Sequence, residues 1–600
     1  MERQTRSGSA AGDAGREAGA RPSACWLCFC AAIMVACAAW SLGRHPLIEP
    51  DEGRNAEVAR EMAVSGDFVL PHLDGLPYLD KPILFFAAAA ASMKLLGPTE
   101  AAARLPSFLF TLATLALTAW FGSCLLGREG GWVAAIATGA APLTLVYARA
   151  VIFDAMLTFF VVLALVSFYR AVELQGAAAS EGGGGERTRR AARWTALAWA
   201  AMGLGVLTKG PVALAVPLLV AVPYAGWRRA WRALWSPTAV ALFAAVVLPW
   251  VVAVTRRVPE FPRYVLFTET LGRLTSDELH RNEPWWYFLF FITVGALPWS
   301  LVAATGVRRA GIVRPEGSAP DRRSVFILLW LLVPLIFFSL SHSKRPQYIL
   351  PLMPAVGLLV ARLWSGRRGR LPGVRGAGAG LAALGLFLIV GHELVPSIRR
   401  VEPAVIDLIP RASLVEGALM LAAGVAVWLV AAKREVALAA LSLPIAALPI
   451  VAHRLIVEIS HHYSSAGIAA ALRPVLTPQT EVIGVAVYPQ SLPFYLGRIV
   501  IVSTPSGGKM KSNYISRAYD RLTEAPGTPL RPGDWWMERL QRCDPAAVFV
   551  LRSRDFKARR TLAQRLPLLV DNGKVAAYGP CAPAGTASGP PGGEPGKPGS

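Results

Sequence analysis

Eleven charged side chains crowd one short stretch, Pro46 to Pro82: Glu49, Asp51, Glu52, Arg54, Glu57, Arg60, Glu61, Asp67, Asp74, Asp80 and Lys81. Carboxylates such as Asp51 and Glu52 can take a proton from an attacking hydroxyl or orient a sugar, and they can equally cap a helix. Arg54 and the isolated Lys81 offer positive charge to an anion, and lysine suits a phosphate as a point charge. Asp154, in ARAVIFDAML, is an acid among apolar neighbours, so it needs either a partner or a task, or caps the helix that follows. Lys209 in LTKGP, and Lys344 with Arg345 in SHSKRPQY, put further cations where loops enter apolar runs. Snorkelling to an interface is the structural alternative for each of these lysines. Asp80 with His280 would supply a carboxylate and an imidazole to a divalent ion, zinc by ligand type and Mg or Mn as alternatives.

Those residues must be held by membrane helices. The chain has 600 residues, 54% hydrophobic and 17% charged, with a mean hydropathy of +0.44, which is the composition of a polytopic α-helical membrane protein. Its net charge of +22 does not imply a nucleic-acid partner. The arginines fall in short loops between apolar runs, the positive-inside pattern, and anionic lipid headgroups account for them. Spanning runs are expected near 24–42, 101–126, 131–149, 155–172, 194–208, 211–226, 237–255, 285–306, 325–341, 347–363, 376–391, 413–431 and 436–452, about thirteen helices. The run 83–97 is short and contains Lys94. Leaving it out of the count keeps the basic loops at 187–193, 227–232, 307–323 and 365–370 on one side, the cytoplasm, with the N-terminus. The acidic segment, the turn at 149–154, the Lys209–Gly210–Pro211 hairpin, the 256–284 loop and the 341–347 turn then share the outer face, which argues for a site there.

Four parts are expected along the chain. Residues 1–22 read as a disordered cytoplasmic tail followed by an uncleaved anchor. Residues 23–455 form the transmembrane domain with an outer loop at 43–100, residues 464–582 a small α/β domain, and residues 583–600 a Pro/Gly-rich disordered tail. Strand-like runs at 481–488, 498–502, 546–552 and 568–578 alternate with helical stretches at 464–472 and 535–541. Asn55 to Val64 reads as an amphipathic helix lying at the membrane surface. Cys25, Cys28, Cys30 and Cys37 lie in the first apolar run and behave as small hydrophobes, while Cys543 and Cys581, placed outside, are free to pair or not. The glycine run at 176–185 is a linker, since it lacks the lysine of a phosphate loop.

The segments EPDEGRNAEVAREM, GDFVLPHLDGLPYLDKP, AARLPS, YARAVIFDAML, LTKGP, HRNEPWWYF and SKRPQYILPLMPA occur in this order over most of residues 45–360. Together they resemble the lipid-linked-sugar glycosyltransferases of the GT-C class, the bacterial branch typified by aminoarabinose transferase and related to protein O-mannosyltransferases. SLPFYLGRIVIV at 491–502 is similar to the periplasmic domain of that family. The resemblance implies an inner-membrane enzyme that takes a sugar from polyprenyl (undecaprenyl) phosphate, without a nucleotide, and places it on lipid A, another envelope glycolipid or a protein at the periplasmic face.

It also implies roles. Asp51 and Asp154, with Glu52, would be the active-site carboxylates, Lys81, Lys209, Arg54 and Lys344 would hold the donor phosphate, and Asp80 with His280 would hold a metal. The family commonly has Glu where this chain has Asp80. Inversion in a single displacement is the expected course. A transporter is the alternative of another class, and predicts polar groups deep in broken helices rather than at one surface.

Overall fold

The computed structural model describes residues 22–40, 42–181, 184–265, 267, 283–310, 321–365, 373–393, 406–431 and 433–581. The two expected tails, 1–22 and 583–600, lie outside the described residues except for Pro22, as does His280. Internal contacts divide the chain into two units: 1–42, 107–249 and 270–455 in the first, and 43–106, 250–269 and 456–600 in the second.

The first unit is a helical bundle. Apolar runs fold as helices because hydrocarbon leaves the backbone no other partner. Eight helices of the described residues are long and apolar enough to cross a membrane, or nine if the pair Tyr287–Gly295 and Trp299–Gly306, bent by 105°, is one span. Every one of the thirteen expected runs falls on helix, and the smaller count has local causes. Glu100–Gly139 joins two expected runs across a break at Gly127, whose φ is 83°. Trp26–Trp40 and Val212–Arg228 are shorter apolar helices, and Gly184–Lys209 opens on a basic stretch. Close approach requires small residues at one crossing in particular. A Cβ on Gly385 of the Val374–Gly391 helix would lie 2.5 Å from the carbonyl oxygen of Gly417 on the Ile409–Leu429 helix.

The second unit joins the acidic segment to the C-terminal α/β region. Its sheet has six strands in the order Leu530–Arg531, Ile501–Ser503, Glu481–Val485, Ala547–Arg552, Val575–Cys581, Leu568–Asp571. The first four pair in parallel, and the last two strands add antiparallel pairings. Ala547 to Leu551 are all buried, the continuous apolar run of a strand covered on both faces. Trp536, Leu540, Ala558 and Leu562 cover Ile483, Phe549 and Leu551 from the flanking helices. The expected single run at 568–578 is a hairpin instead, turning at Asn572–Gly573, where Gly573 has φ 81°. Cys543 and Cys581 are joined as a disulfide with Cα atoms 5.5 Å apart.

The Asp51–Ser65 helix corrects the amphipathic surface reading. Glu52, Gly53, Asn55, Ala56, Glu57, Val58, Ala59, Arg60 and Met62 are all buried, and of the charged residues among them Glu57 pairs with Arg60 and Glu52 with Arg104. The Leu84–Leu96 helix packs against it. Its 13 residues give about 20 Å, short of the roughly 30 Å hydrocarbon layer.

Candidate active site

In the second unit the site is assembled around the Asp51–Ser65 helix. Asp51 and Glu52 occupy its first turn, where the helix dipole favours carboxylates. Glu52 accepts Arg104 Nε on Oε1 at 2.9 Å, and Arg104 Nη2 and the Ile48 N–H on Oε2, each at 2.9 Å. Burial acts to raise the Glu52 pKa, but Arg104, the Ile48 N–H and His45 together hold the carboxyl below its ordinary value. Arg104 is fully buried and also donates to the carbonyls of His45 and Pro46 at 2.8 and 3.0 Å. The expected catalytic role of Glu52 therefore meets a carboxylate engaged on both oxygens, which braces the entry to the helix.

Asp51 is more open. Its Oδ1 accepts Arg54 Nη2 at 2.6 Å while 35% of the side chain remains accessible. Arg54 also donates to the Lys511 carbonyl at 3.1 Å. Burial works against the Arg54 cation, yet Tyr78, Asp51 and Asp80 together hold its pKa above the ordinary value. Lys81, half-buried, donates to the Asp80 carbonyl at 2.6 Å. Asp51, Arg54, Asp80 and Lys81 thus belong to one electrostatic neighbourhood.

Asp80 has a different employment from the one expected. Its Oδ1 accepts the Tyr264 hydroxyl at 2.7 Å and the Tyr514 N–H at 2.9 Å, and its Oδ2 accepts the Asn513 N–H at 2.8 Å. A metal would have to displace these bonds, and the described residues contain no group of three or more His, Cys, Asp or Glu arranged to hold one. His280 lies outside them. The Asp80 carboxylate is thus committed to three protein donors.

Several residues that the sequence reading did not single out lock this neighbourhood to the α/β region. Glu49 Oε1 accepts the Ser491 N–H at 2.9 Å and the hydroxyls of Ser491 and Ser465, both at 2.6 Å. Tyr495 OH accepts from the Leu47 N–H at 2.8 Å and donates to Glu100 at 3.1 Å. Gly53 lies so close to Ser491 that a Cβ would fall 2.7 Å from the serine Cβ. The Ser491–Gly497 motif was visible in the sequence, but its partners 400 or more positions away were not.

Beside it sits an acidic cluster. Glu61 Oε2 accepts the Gly75 N–H at 2.9 Å, its Oε1 accepts the Asp74 N–H, and Asp74 Oδ1 accepts the Val500 N–H at 2.8 Å. Burial, then the nearby Glu57 carboxylate, pushes the Glu61 pKa up to about 8. Asp74 is likewise raised, chiefly by burial.

In the first unit, Asp154 begins the Asp154–Glu181 helix and is buried. It pairs with Lys209, the last residue of the Gly184–Lys209 helix. The Lys209 ammonium also lies 5.0 Å from the centre of the Tyr348 ring. Gln347, next to that tyrosine, accepts the Tyr147 hydroxyl at 3.0 Å. Lys344 donates to the Glu283 carbonyl at 2.8 Å, and burial lowers its pKa, opposed by Glu283. The structure brings Asp154 and Lys209 together as a desolvated pair and gives Lys344 a backbone anchor. Such a pair can present a cation to a phosphate while the carboxylate keeps it fixed, and a carboxylate near a sugar can stabilise positive charge at C1.

Residues 48–265 match the family model for dolichyl-phosphate-mannose-protein mannosyltransferase. An undecaprenyl phosphate-alpha-4-amino-4-deoxy-L-arabinose arabinosyl transferase of Pseudomonas aeruginosa is 34% identical over 399 residues, 64% of this chain and 68% of the relative. Its namesake in Aeromonas hydrophila is 35% identical over 325 residues, 53% of this chain and 56% of the relative. The crystal structure of ArnT from Cupriavidus metallidurans bound to undecaprenyl phosphate superimposes with a TM-score of 0.77 at 24% identity, covering 93% of this chain and 98% of that one. With its fold matched over nearly the whole length and 34% identity to a relative of which it covers 68%, the chain is a multi-pass membrane glycosyltransferase and belongs to the undecaprenyl phosphate-aminoarabinose arabinosyl transferase family.

Proposed function

We propose that the protein moves a sugar, of the aminoarabinose class named for its relatives, from undecaprenyl phosphate to lipid A or a kindred envelope glycolipid. The transfer takes place at the periplasmic face of a bacterial inner membrane. The observation that carries the reading is the buried Asp154–Lys209 pair beneath Tyr348, a fixed cation of the kind a departing lipid phosphate requires. In the transfer, the bond from C1 to the phosphate oxygen breaks and its electrons leave with the phosphate. A lone pair on the acceptor oxygen forms the new bond to C1. In the first unit Lys209, held by Asp154, stabilises the phosphate charge, and Asp154 offsets the positive character at C1. A phosphate acceptor is already nucleophilic, so this course asks no strong base of the protein.

The family model's name favours a second reading, in which a protein hydroxyl is the acceptor; that reaction needs a carboxylate to take the proton, and the more open Asp51 is the candidate. The basic loops support a cytoplasmic N-terminus, and the Cys543–Cys581 disulfide supports a C-terminal region in an oxidising compartment. The test expresses wild type, Asp154→Asn and Lys209→Ala at equal levels in cells lacking such an activity. Lipid A and protein glycans are then read by mass spectrometry. A sugar-sized mass on lipid A, lost in both variants, is the expected result. The same mass on protein alone would replace lipid A with the protein acceptor.

A further inference from the structure

A second polar site lies at the other end of the same helix that begins with Asp154. Glu173, 19 positions along the Asp154–Glu181 helix, is about 28 Å from Asp154 at 1.5 Å per residue, close to the thickness of a bilayer's hydrocarbon. A second helix spans the same interval. Lys209 pairs with Asp154, and Arg228, at the end of the Val212–Arg228 helix that follows, donates to Glu173 at 3.0 Å. The two polar clusters therefore sit at opposite membrane surfaces.

Tyr169, Glu173, Asp321, Arg322 and Arg323 line a cavity of about 420 Å³ here. Its carboxylates are already committed. Glu173 accepts the Tyr224 hydroxyl at 2.7 Å, Arg228, and Arg322 at 3.4 Å. Asp321 caps the Arg322–Leu340 helix and accepts Arg362 at 3.2 Å. Four guanidinium groups thus face two carboxylates, and Arg322 and Arg323 are exposed. Exposed tryptophans mark the level of the pocket in the membrane: Trp227 beside Arg228, with Trp231 and Trp235 in the connection that follows. Tryptophan gathers at the headgroup layer of a bilayer.

We propose that this pocket binds the phosphate of an anionic glycerophospholipid in the leaflet opposite the transfer site. The excess positive charge selects an anion, and the tryptophan belt favours a lipid as its source over a free phosphate. The proposal stands on the first unit alone and does not depend on which sugar or acceptor the enzyme uses.

The test uses the purified full-length protein and native mass spectrometry, with phosphatidylglycerol, phosphatidylcholine and inorganic phosphate as separate probes. Wild type should retain phosphatidylglycerol in preference to phosphatidylcholine, and millimolar inorganic phosphate should not displace it. Arg322→Ala with Arg323→Ala should weaken phosphatidylglycerol binding by about fivefold per arginine. The single variant Arg323→Gln, which removes a guanidinium that makes no side-chain hydrogen bond among the described residues, guards against a folding defect. It should keep the wild-type melting temperature and lose about fivefold. Undiminished phosphatidylglycerol binding in Arg323→Gln and the double variant would overturn the assignment. Displacement of the lipid by inorganic phosphate would overturn the lipid as its source.

Discussion

Arg104 shows how much of this site is decided one side chain at a time. It is fully buried and donates to both oxygens of Glu52 and to two carbonyls. Arg104→Met leaves Glu52 buried without its cation, which should cost about 3–5 kcal/mol. The loss would be read as a lowered melting temperature and poor yield, with Glu52→Gln combined with Arg104→Met recovering part of it. Asp154→Asn removes the charge that holds Lys209 but keeps the shape, so the protein should fold normally and lose transfer by about a hundredfold or more, as expected when an electrostatic partner of the reacting centre is lost. Wild-type turnover in that variant would remove Asp154 from the mechanism. At Asp80 the hydrogen bonds from Tyr264, Asn513 and Tyr514 occupy the carboxylate. Treatment with a chelator is therefore expected to leave transfer in purified enzyme unchanged.

At the scale of elements, the Asp51–Ser65 helix ties the acidic segment to the rest of the second unit. Gly53→Val would push a branched side chain into Ser491, where even a Cβ would sit 2.7 Å from the serine Cβ. It should disturb the Glu49–Ser491 bonds and destabilise the unit by about 1–3 kcal/mol, measurable as faster proteolysis of the C-terminal region. Glu61, on the same helix, makes the element sensitive to pH. Its pKa rises from the ordinary 4.5 to about 8 on folding, so the folded state binds the proton more tightly. That contribution is fully present below about 4.5 and is lost as pH rises through about 8. Asp74, also raised, works in the same direction. Melting temperature should fall from pH 5 to pH 9, and Glu61→Gln should flatten the slope; an unchanged slope would show that Glu61 is not the titrating group.

Across the whole molecule, the sequence by itself determined the membrane class, the positions of the helices and the family. These rest on local properties: apolar runs long enough to fold as helices, clusters of arginine between those runs, and motifs of contiguous residues. It also located Asp51, Asp154, Lys81 and Lys209, because an ion beside an apolar run is conspicuous without any partner. The tertiary structure decided what those ions do. Pairing across the chain turned Glu52 into a brace, gave Asp80 to Tyr264 and two backbone N–H groups, and joined Asp154 to Lys209. It also buried the helix that its mixed composition had suggested was lying on the membrane. Periodicity reports which residues prefer water, but an ion pair or a hydrogen bond between distant segments makes a buried charge tolerable, and only folding brings those segments together.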